Sequence, residues 1–255
     1  MTNKPRIAVL AGPGDTLTPV VHALNGVGDV VAIVREEKEP LGTFLKRRIK
    51  KLGVFTVLGQ VLFVKIVPPI LSRLSKKRLK EIRSYYTLDE SPIENRRITD
   101  VRSVNDEQVA ALLKEYRPDV VVLHGTRIVK KHILESVPAH VLNIHAGMTP
   151  MYRGVHGGYW ALASGHPEFY GVTVHLVDTG VDTGGILTQV RCALDRSDSF
   201  VTYPEVQLGE GLRALVDVIA TGAYKPIEID APFSRQWYHP TLWAYLWTLV
   251  TRRVR

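Results

Sequence analysis

Two runs almost free of polar side chains, Arg6-Ile-Ala-Val-Leu-Ala11 and Asp119-Val-Val-Val-Leu123, constrain this chain more than any other feature. A strand with one face in water alternates apolar and polar residues. A strand that is apolar throughout needs cover on both faces, as in a parallel sheet flanked by helices. The first run ends in Gly12-Pro13-Gly14-Asp15, a turn. Thr18 then caps a helix with Pro19 at its first position, running to Leu24, and Asp29 to Val34 forms a second strand. A β-α-β start of this kind predicts an α/β fold with crossover helices. The rhythm returns with a strand at Ile98 to Val101 and a helix from Ser103 to Tyr116. Ser103 or Asn105 is its N-cap, and Asp106 and Glu107 favour its first turn. Further strands are expected at Val141 to Asn143, Gly171 to Val177 and Ile186 to Leu194, then a helix from Tyr203 to Thr221.

The segment from Glu36 to Arg97 breaks this pattern. Residues 46–83 hold twelve Lys/Arg and one acid, Glu81, for a charge of +11, whereas the whole chain carries +8. The basic character therefore belongs to one segment. Its centre, Val54 to Val64, is mostly apolar, and Lys65 and Pro68-Pro69 follow. That uninterrupted stretch is shorter than the ~20 residues of a membrane span. Three readings fit: a helical insertion packed on the domain with a solvated basic face, a peripheral contact with an anionic membrane through 46–83 and the C-terminal tail, or a nucleic-acid contact. No helix-turn-helix, zinc finger or aromatic RNA platform is recognisable, so no specific nucleic-acid binding is expected. The tail, 223–255, holds Trp237, Trp243 and Trp247 and ends in Arg252-Arg253-Val254-Arg255; from Pro240 it can form a short amphipathic helix. Tail and insertion are also plausible material for a homo-oligomer interface. The expected division is a catalytic domain over 1–222, containing the insertion at 36–97, and a tail over 223–255.

Cys192 is the single cysteine, which excludes an intrachain disulfide and suits a reducing compartment. It reads as a small core residue. No His/Cys cluster has zinc spacing, so no metal is expected. The N-terminus lacks the pattern of a secretory signal, and a cytoplasmic location is expected, with the inner membrane surface as a possible station.

Open parallel sheets place ligand groups beyond the carboxyl ends of their strands. Asn143 and His145 fall there, two residues apart and so on one face. Asp182 lies in the loop Asp178-Thr-Gly-Val-Asp-Thr-Gly-Gly185, rich in small residues. An amide, an imidazole and a carboxylate can polarise a carbonyl and move a proton. The other reading is a cap, a surface imidazole and a tight turn. His175, in mid-strand, reads as a packed or solvent-facing histidine.

The longer pattern is more specific. Asn143-Ile-His145, Pro150-Met-Tyr-Arg-Gly154, Gly171-Val-Thr-Val-His175 and Val181-Asp-Thr-Gly-Gly185 together resemble the folate-dependent formyltransferase family, most strongly from Asp119 to Val190. The resemblance implies a Rossmann-like domain with a mostly parallel central sheet, and N10-formyltetrahydrofolate as formyl donor. It implies that Asn143, His145 and Asp182 are catalytic. It places Arg127, Ile128 and Val129 along the pteridine slot, opposite Asp178 and Gly180; outside the resemblance, Arg127 reads as a surface cation. Gly12, Gly14, Gly125, Tyr152, Arg153 and Gly154 would border a small-molecule amine substrate.

Two departures bear on that amine. Glycinamide ribonucleotide formyltransferases carry a Gly-Asn-Gly-Ser-Asn-like phosphate loop, where this chain has Gly12-Pro13-Gly14-Asp15, and an aspartate repels phosphate. Methionyl-tRNA formyltransferases carry a C-terminal barrel domain, and 33 residues follow Gly222 here. The expected reaction is N-formylation of a primary amine, foremost an amino sugar on a nucleotide carrier. The alternatives are a glycinamide ribonucleotide-type transferase, a formyltetrahydrofolate hydrolase, and a non-catalytic membrane-surface or interaction module.

Overall fold

The computed structural model describes residues 4–93 and 98–255. Positions 1–3 of the expected domain and 94–97 of the expected insertion lie outside the described residues. Seven strands form one sheet: β1 (Arg6–Ala11), β2 (Asp29–Glu36), β3 (Ile98–Val101), β4 (Val120–His124), β5 (His140–His145), β7 (Gly171–Leu176) and β8 (Ile186–Arg191). Their spatial order is β3-β2-β1-β4-β5-β7-β8. The first five run parallel; β7 is antiparallel to β5, and β8 to β7. The α/β, mostly parallel reading thus holds, and the reversal at β7 is the feature that builds the site.

The two apolar runs occupy the middle of the sheet. On β1, Ile7, Val9 and Ala11 pack against α1 (Leu17–Val27) and α8 (Tyr203–Thr221), through Val20, Leu24, Leu212 and Leu215. The alternate residues Ala8 and Leu10 pack on the other face with Val109 and Leu113 of α5 (Glu107–Tyr116). On β4, Val120 and Val122 join the first layer, and Val121 and Leu123 the second. Burial on both faces explains why neither strand alternates.

Some boundaries differ from the sequence reading. α1 begins at Leu17 after Thr16, so Thr18 lies inside it, and the Thr16 hydroxyl bonds His124 Nε2 at 2.7 Å. α5 starts four residues later than expected because residues 103–106 form a turn, in which Ser103 N–H donates to Asp106 Oδ2. Asn105 caps nothing; its amide donates to Ile128 O and accepts from Lys130 N–H. β8 ends at Arg191, before Cys192, whose burial raises its thiol pKa to about 12 and keeps it a protonated, inert packing group.

The basic segment is helical: α2 (Leu41–Leu52), α3 (Val54–Leu74) and α4 (Lys76–Tyr85). Here the length expectation is overturned. α3 continues through Lys65 and Pro68-Pro69 for 21 residues, an 18-residue window of it has a mean hydropathy of 2.0, and by length and composition it suffices to cross a membrane. Lys65 stops nothing because it lies on the exposed side of the helix. α3 packs against the tail helix α9 (Leu242–Arg252), where Phe63 meets Tyr245 and Phe200. α4 is clamped to the domain by Arg78 on Asp198 (2.8 Å) and by Arg83 on Glu205 (3.1 Å).

Candidate active site

Along β5 the odd-numbered residues face the α5 side, where Val141 is core. Pairing with β4 ends at Leu123↔Asn143, whereas pairing with β7 continues to His145. The end of β5 therefore projects past its parallel neighbour, and its α5-side face is left without a covering helix. Asn143 and His145 occupy that face.

The antiparallel partner supplies the rest. His175 stands directly opposite Asn143, and Thr173 opposite His145. His175 Nδ1 lies 2.6 Å from the Leu176 carbonyl, which only accepts, so this nitrogen carries the proton. Its bare Nε2 then accepts from Asn143 Nδ2 at 3.2 Å. Burial holds the His175 pKa below the usual histidine range, so the ring is neutral at pH 7 and stays an acceptor. This bond uses one Asn143 N–H and fixes the direction of the other.

His145 is held from both sides, with 6% of its side chain exposed. Nε2 is 2.6 Å from the Tyr152 carbonyl and donates to it. Nδ1 is 3.4 Å from Asp182 Oδ2. A side chain at Gly147 would place its Cβ 2.5 Å from that same Tyr152 oxygen and 2.9 Å from His145 Nε2, so glycine is what this close approach allows. Thr173 steadies the loop: its hydroxyl donates to Gly147 O and accepts from Thr149 N–H.

Asp182 completes the group. Its backbone is left-handed (φ 50°), a conformation aspartate tolerates better than most side chains. Oδ2 accepts the Gly154 N–H at 2.8 Å, and Oδ1 lies 3.8 Å from His175 Nε2. Oδ1 is thus the carboxylate oxygen with free capacity. Asn143, His145, His175 and Asp182 form one cluster of hydrogen bonds and close polar contacts.

The other expected residues divide. Gly154 serves the cluster through its backbone. Arg153 clamps the Asp182 loop, with Nη1 donating to Val181 O at 3.1 Å, and pairs with Ser234. The Tyr152 ring is fully buried in an aromatic stack with Trp237 and Phe233, so its carbonyl, not its ring, reaches the site. The Arg127 side chain does not stand free on the surface. Its guanidinium is 2.9 Å from the buried Glu36 and donates to the carbonyls of Glu37 and Arg102, tying β4 to β2 and β3. Val129 is core, and Ile128 is 60% exposed. Asp178 is spent on its own turn, accepting from Gly180 N–H and the Thr183 hydroxyl. Gly12 abuts Gly125, where an added Cβ would meet the Gly125 carbonyl at 2.0 Å, while Gly14 faces open space. Among the described residues, no three His, Cys, Asp or Glu side chains are grouped to hold a metal. His175 is the residue the sequence reading passed over; the alternation that places Thr173 and His175 on one face points to it once β7 is known to run antiparallel.

A parallel sheet reversed at one edge, with an amide, an imidazole and a carboxylate meeting at that reversal, defines a Rossmann-like α/β fold with a polar cluster at its strand ends. Residues 5–219 match the family model described as formyl transferase, and the chain belongs to that family. It is similar to the methionyl-tRNA formyltransferase of Anaeromyxobacter dehalogenans strain 2CP-1, at 35% identity over 133 residues, half of this chain and 42% of that protein. A second such enzyme, from Finegoldia magna, is 40% identical over 96 residues, 37% of this chain and 30% of that one. The chain thus matches less than half the length of these relatives. In fold it resembles glycinamide ribonucleotide transformylase 1 of Symbiobacterium toebii (TM-score 0.56, 22% identity, covering 88% of this chain and 89% of that one). It also resembles a sugar N-formyltransferase of Shewanella sp. (TM-score 0.54, 16% identity, 92% and 76%).

Proposed function

We propose that the protein transfers a formyl group from N10-formyltetrahydrofolate to a primary amine, and that the amine belongs to an amino sugar on a nucleotide carrier. The observation that carries this reading is the convergence of Asn143, His145 and Asp182 on the face left open past β4, with His175 aligning Asn143. An amine attacking a formyl carbon builds negative charge on the carbonyl oxygen. The second Asn143 N–H is the aligned donor for that charge. Asp182 Oδ1 is the free acceptor for the proton the amine sheds. His145, paired with Oδ2 through Nδ1 and tethered through Nε2, keeps the carboxylate in place and shares the proton. Asp182 and His145 can return that proton to the departing donor nitrogen as its bond to the formyl carbon breaks.

The donor's ring system fits the residues in part. Val129, beside Ile128, and Val177, beside Asp178, belong to one core cluster on the α5 side of the sheet. Exposed Ile128 offers an apolar face for a flat ring, and the backbone of the strip is pinned by Glu36 and Asn105. Arg127 and the Asp178 carboxylate, both already engaged, contribute position and not direct contact. The amino-sugar acceptor is supported by the edge of the site. A two-strand ribbon, β6 (Arg153–Gly154) with β9 (Gln236–Trp237), borders Asp182. Next to it the exposed Arg235 lies over the Trp237 ring at 4.1 Å, a positioned cation suited to the phosphates of a nucleotide-linked sugar.

The test is one formyl-transfer assay with the same donor and a panel of amines: nucleotide-linked amino sugars, glycinamide ribonucleotide and aminoacyl compounds. A formamide on a nucleotide-linked sugar, with little formate released when no amine is present, is expected. Rapid formate release from donor alone would make the protein a hydrolase, and transfer only to another amine would reassign the acceptor.

A further inference from the structure

Helix α3 is apolar all round, but the protein covers one side of it. Val57, Gly59, Gln60, Phe63 and Val67 are buried. Phe55, Leu58, Leu62, Ile66 and Ile70 are exposed, Phe55 by 82%. At 100° per residue these exposed positions share one face, and Lys65 lies among them. The tail helix α9 adds a second exposed stripe at helical spacing: Trp243, Leu246, Trp247 (72% exposed) and Val250 (78%). Trp243 also packs on Gly59, where any side chain would meet its ring, so the two stripes join in one surface. Contiguous apolar surface of this kind marks a docking site.

Charge selects the occupant. Lys50 and Lys51 precede α3 and Lys76 and Lys80 follow it; all four are exposed and none pairs with a carboxylate among the described residues. Arg252 and Arg253 stand at the end of α9. Lys65 can lay its aliphatic stem along the apolar face and lift its ammonium to the headgroups. Apolar centre, exposed tryptophans and cationic ends match an anionic lipid surface. A second copy of the chain would oppose one +11 segment with another. Crossing the bilayer is disfavoured by the covered side. Gln60 near mid-helix donates to the His239 carbonyl at 2.7 Å and accepts from Arg48, and the helix is held by α9.

We propose that this surface seats the protein on an anionic bilayer, with α3 and α9 in the plane of the interface. The ~31 Å length of α3 follows from ~1.5 Å per residue and gives an extended footprint. Contact lies close to the catalytic loop. His239, bonded to Gln60, is 2.9 Å from His156, which precedes α7 (Gly157–Ser164), and Gly157 packs on Gly147 beside His145.

The test uses the full chain, with vesicles of phosphatidylcholine mixed with phosphatidylglycerol and vesicles of phosphatidylcholine alone. Co-sedimentation with the mixed vesicles, at least about tenfold stronger than with phosphatidylcholine and weakened by salt, is expected, with a blue shift of tryptophan emission. Reversing Lys50, Lys51 and Lys76 to Glu removes charge without touching the core and should cost at least about tenfold in vesicle binding. The variant F55S/W247S/V250S should lose the emission shift. Equal, negligible binding to both vesicles would overturn the proposal, as would a lipid-free dimer that this apolar variant dissolves. None of these readouts depends on formyl transfer.

Discussion

The strand-end cluster and the α3/α9 surface are opposite solutions to the same problem of unsatisfied groups. At the cluster every side chain is held by at least one other part of the chain: Asn143 by His175, His145 by Tyr152, Asp182 by Gly154. Its geometry is set before any ligand arrives, which is what a stabiliser of developing charge requires. At the helical surface large apolar groups face solvent beside cations that pair with no carboxylate among the described residues. A site meant for a small reacting group is enclosed and over-determined. The surface proposed to dock on lipid is left open.

Four changes bear on that contrast. His145→Ala removes the proton-sharing partner of Asp182 and should lower formyl transfer by about 10²–10⁴-fold while leaving the circular dichroism and melting curve nearly unchanged. Full retained activity would break the catalytic assignment. Acid acts at the junction between the two regions. Burial depresses the pKa of His156 to about 3 and of His239 to about 4, against about 6.5 unfolded. Both rings are neutral when folded, so their stabilising contribution is complete above about pH 6.5 and is lost as pH falls from there toward 3–4. At pH 5 each should cost about 2 kcal/mol. A flat melting temperature between pH 7 and 5 would contradict this, and His239→Asn should shallow the slope.

His175→Leu leaves Asn143 without its aligning acceptor. A fall in kcat of roughly 10–100-fold is expected, less than for an outright lost oxyanion donor. Recovery in His175→Gln, with KM nearly constant throughout, would separate positioning from simple packing. Gly59→Leu forces a side chain into the Trp243 ring and should cost about 1–3 kcal/mol. It should loosen α9 to proteolysis and leave the Asn143–His175 pair intact. If transfer falls as far as in His175→Leu, the two regions are more tightly coupled than their contacts imply.

The central strands were legible because burial on both faces writes itself as an unbroken apolar run; Ile7 to Ala11 and Val120 to Leu123 needed no tertiary knowledge. Asn143, His145 and Asp182 were legible through a motif that spans the loops joining them. His175 was not, because its role depends on the direction of β7, and strand direction leaves no mark in the strand's own sequence. The partners of Arg127 were hidden for a related reason: Glu36 and the carbonyls of Glu37 and Arg102 come from other strands. The full length of α3 was hidden by Lys65 and Pro68-Pro69, which look like stops when read as composition. On a helix with one free face, Lys65 interrupts nothing.

The bond between Gln60 and the His239 carbonyl joins residues 179 positions apart. During synthesis at about 5–20 residues per second, α3 emerges on the order of 10–40 s before the tail that covers its inner side. For that interval both faces of an apolar helix are bare. On the docking proposal, a nascent chain made beside a membrane would meet lipid before it meets the tail, so seating could begin during synthesis.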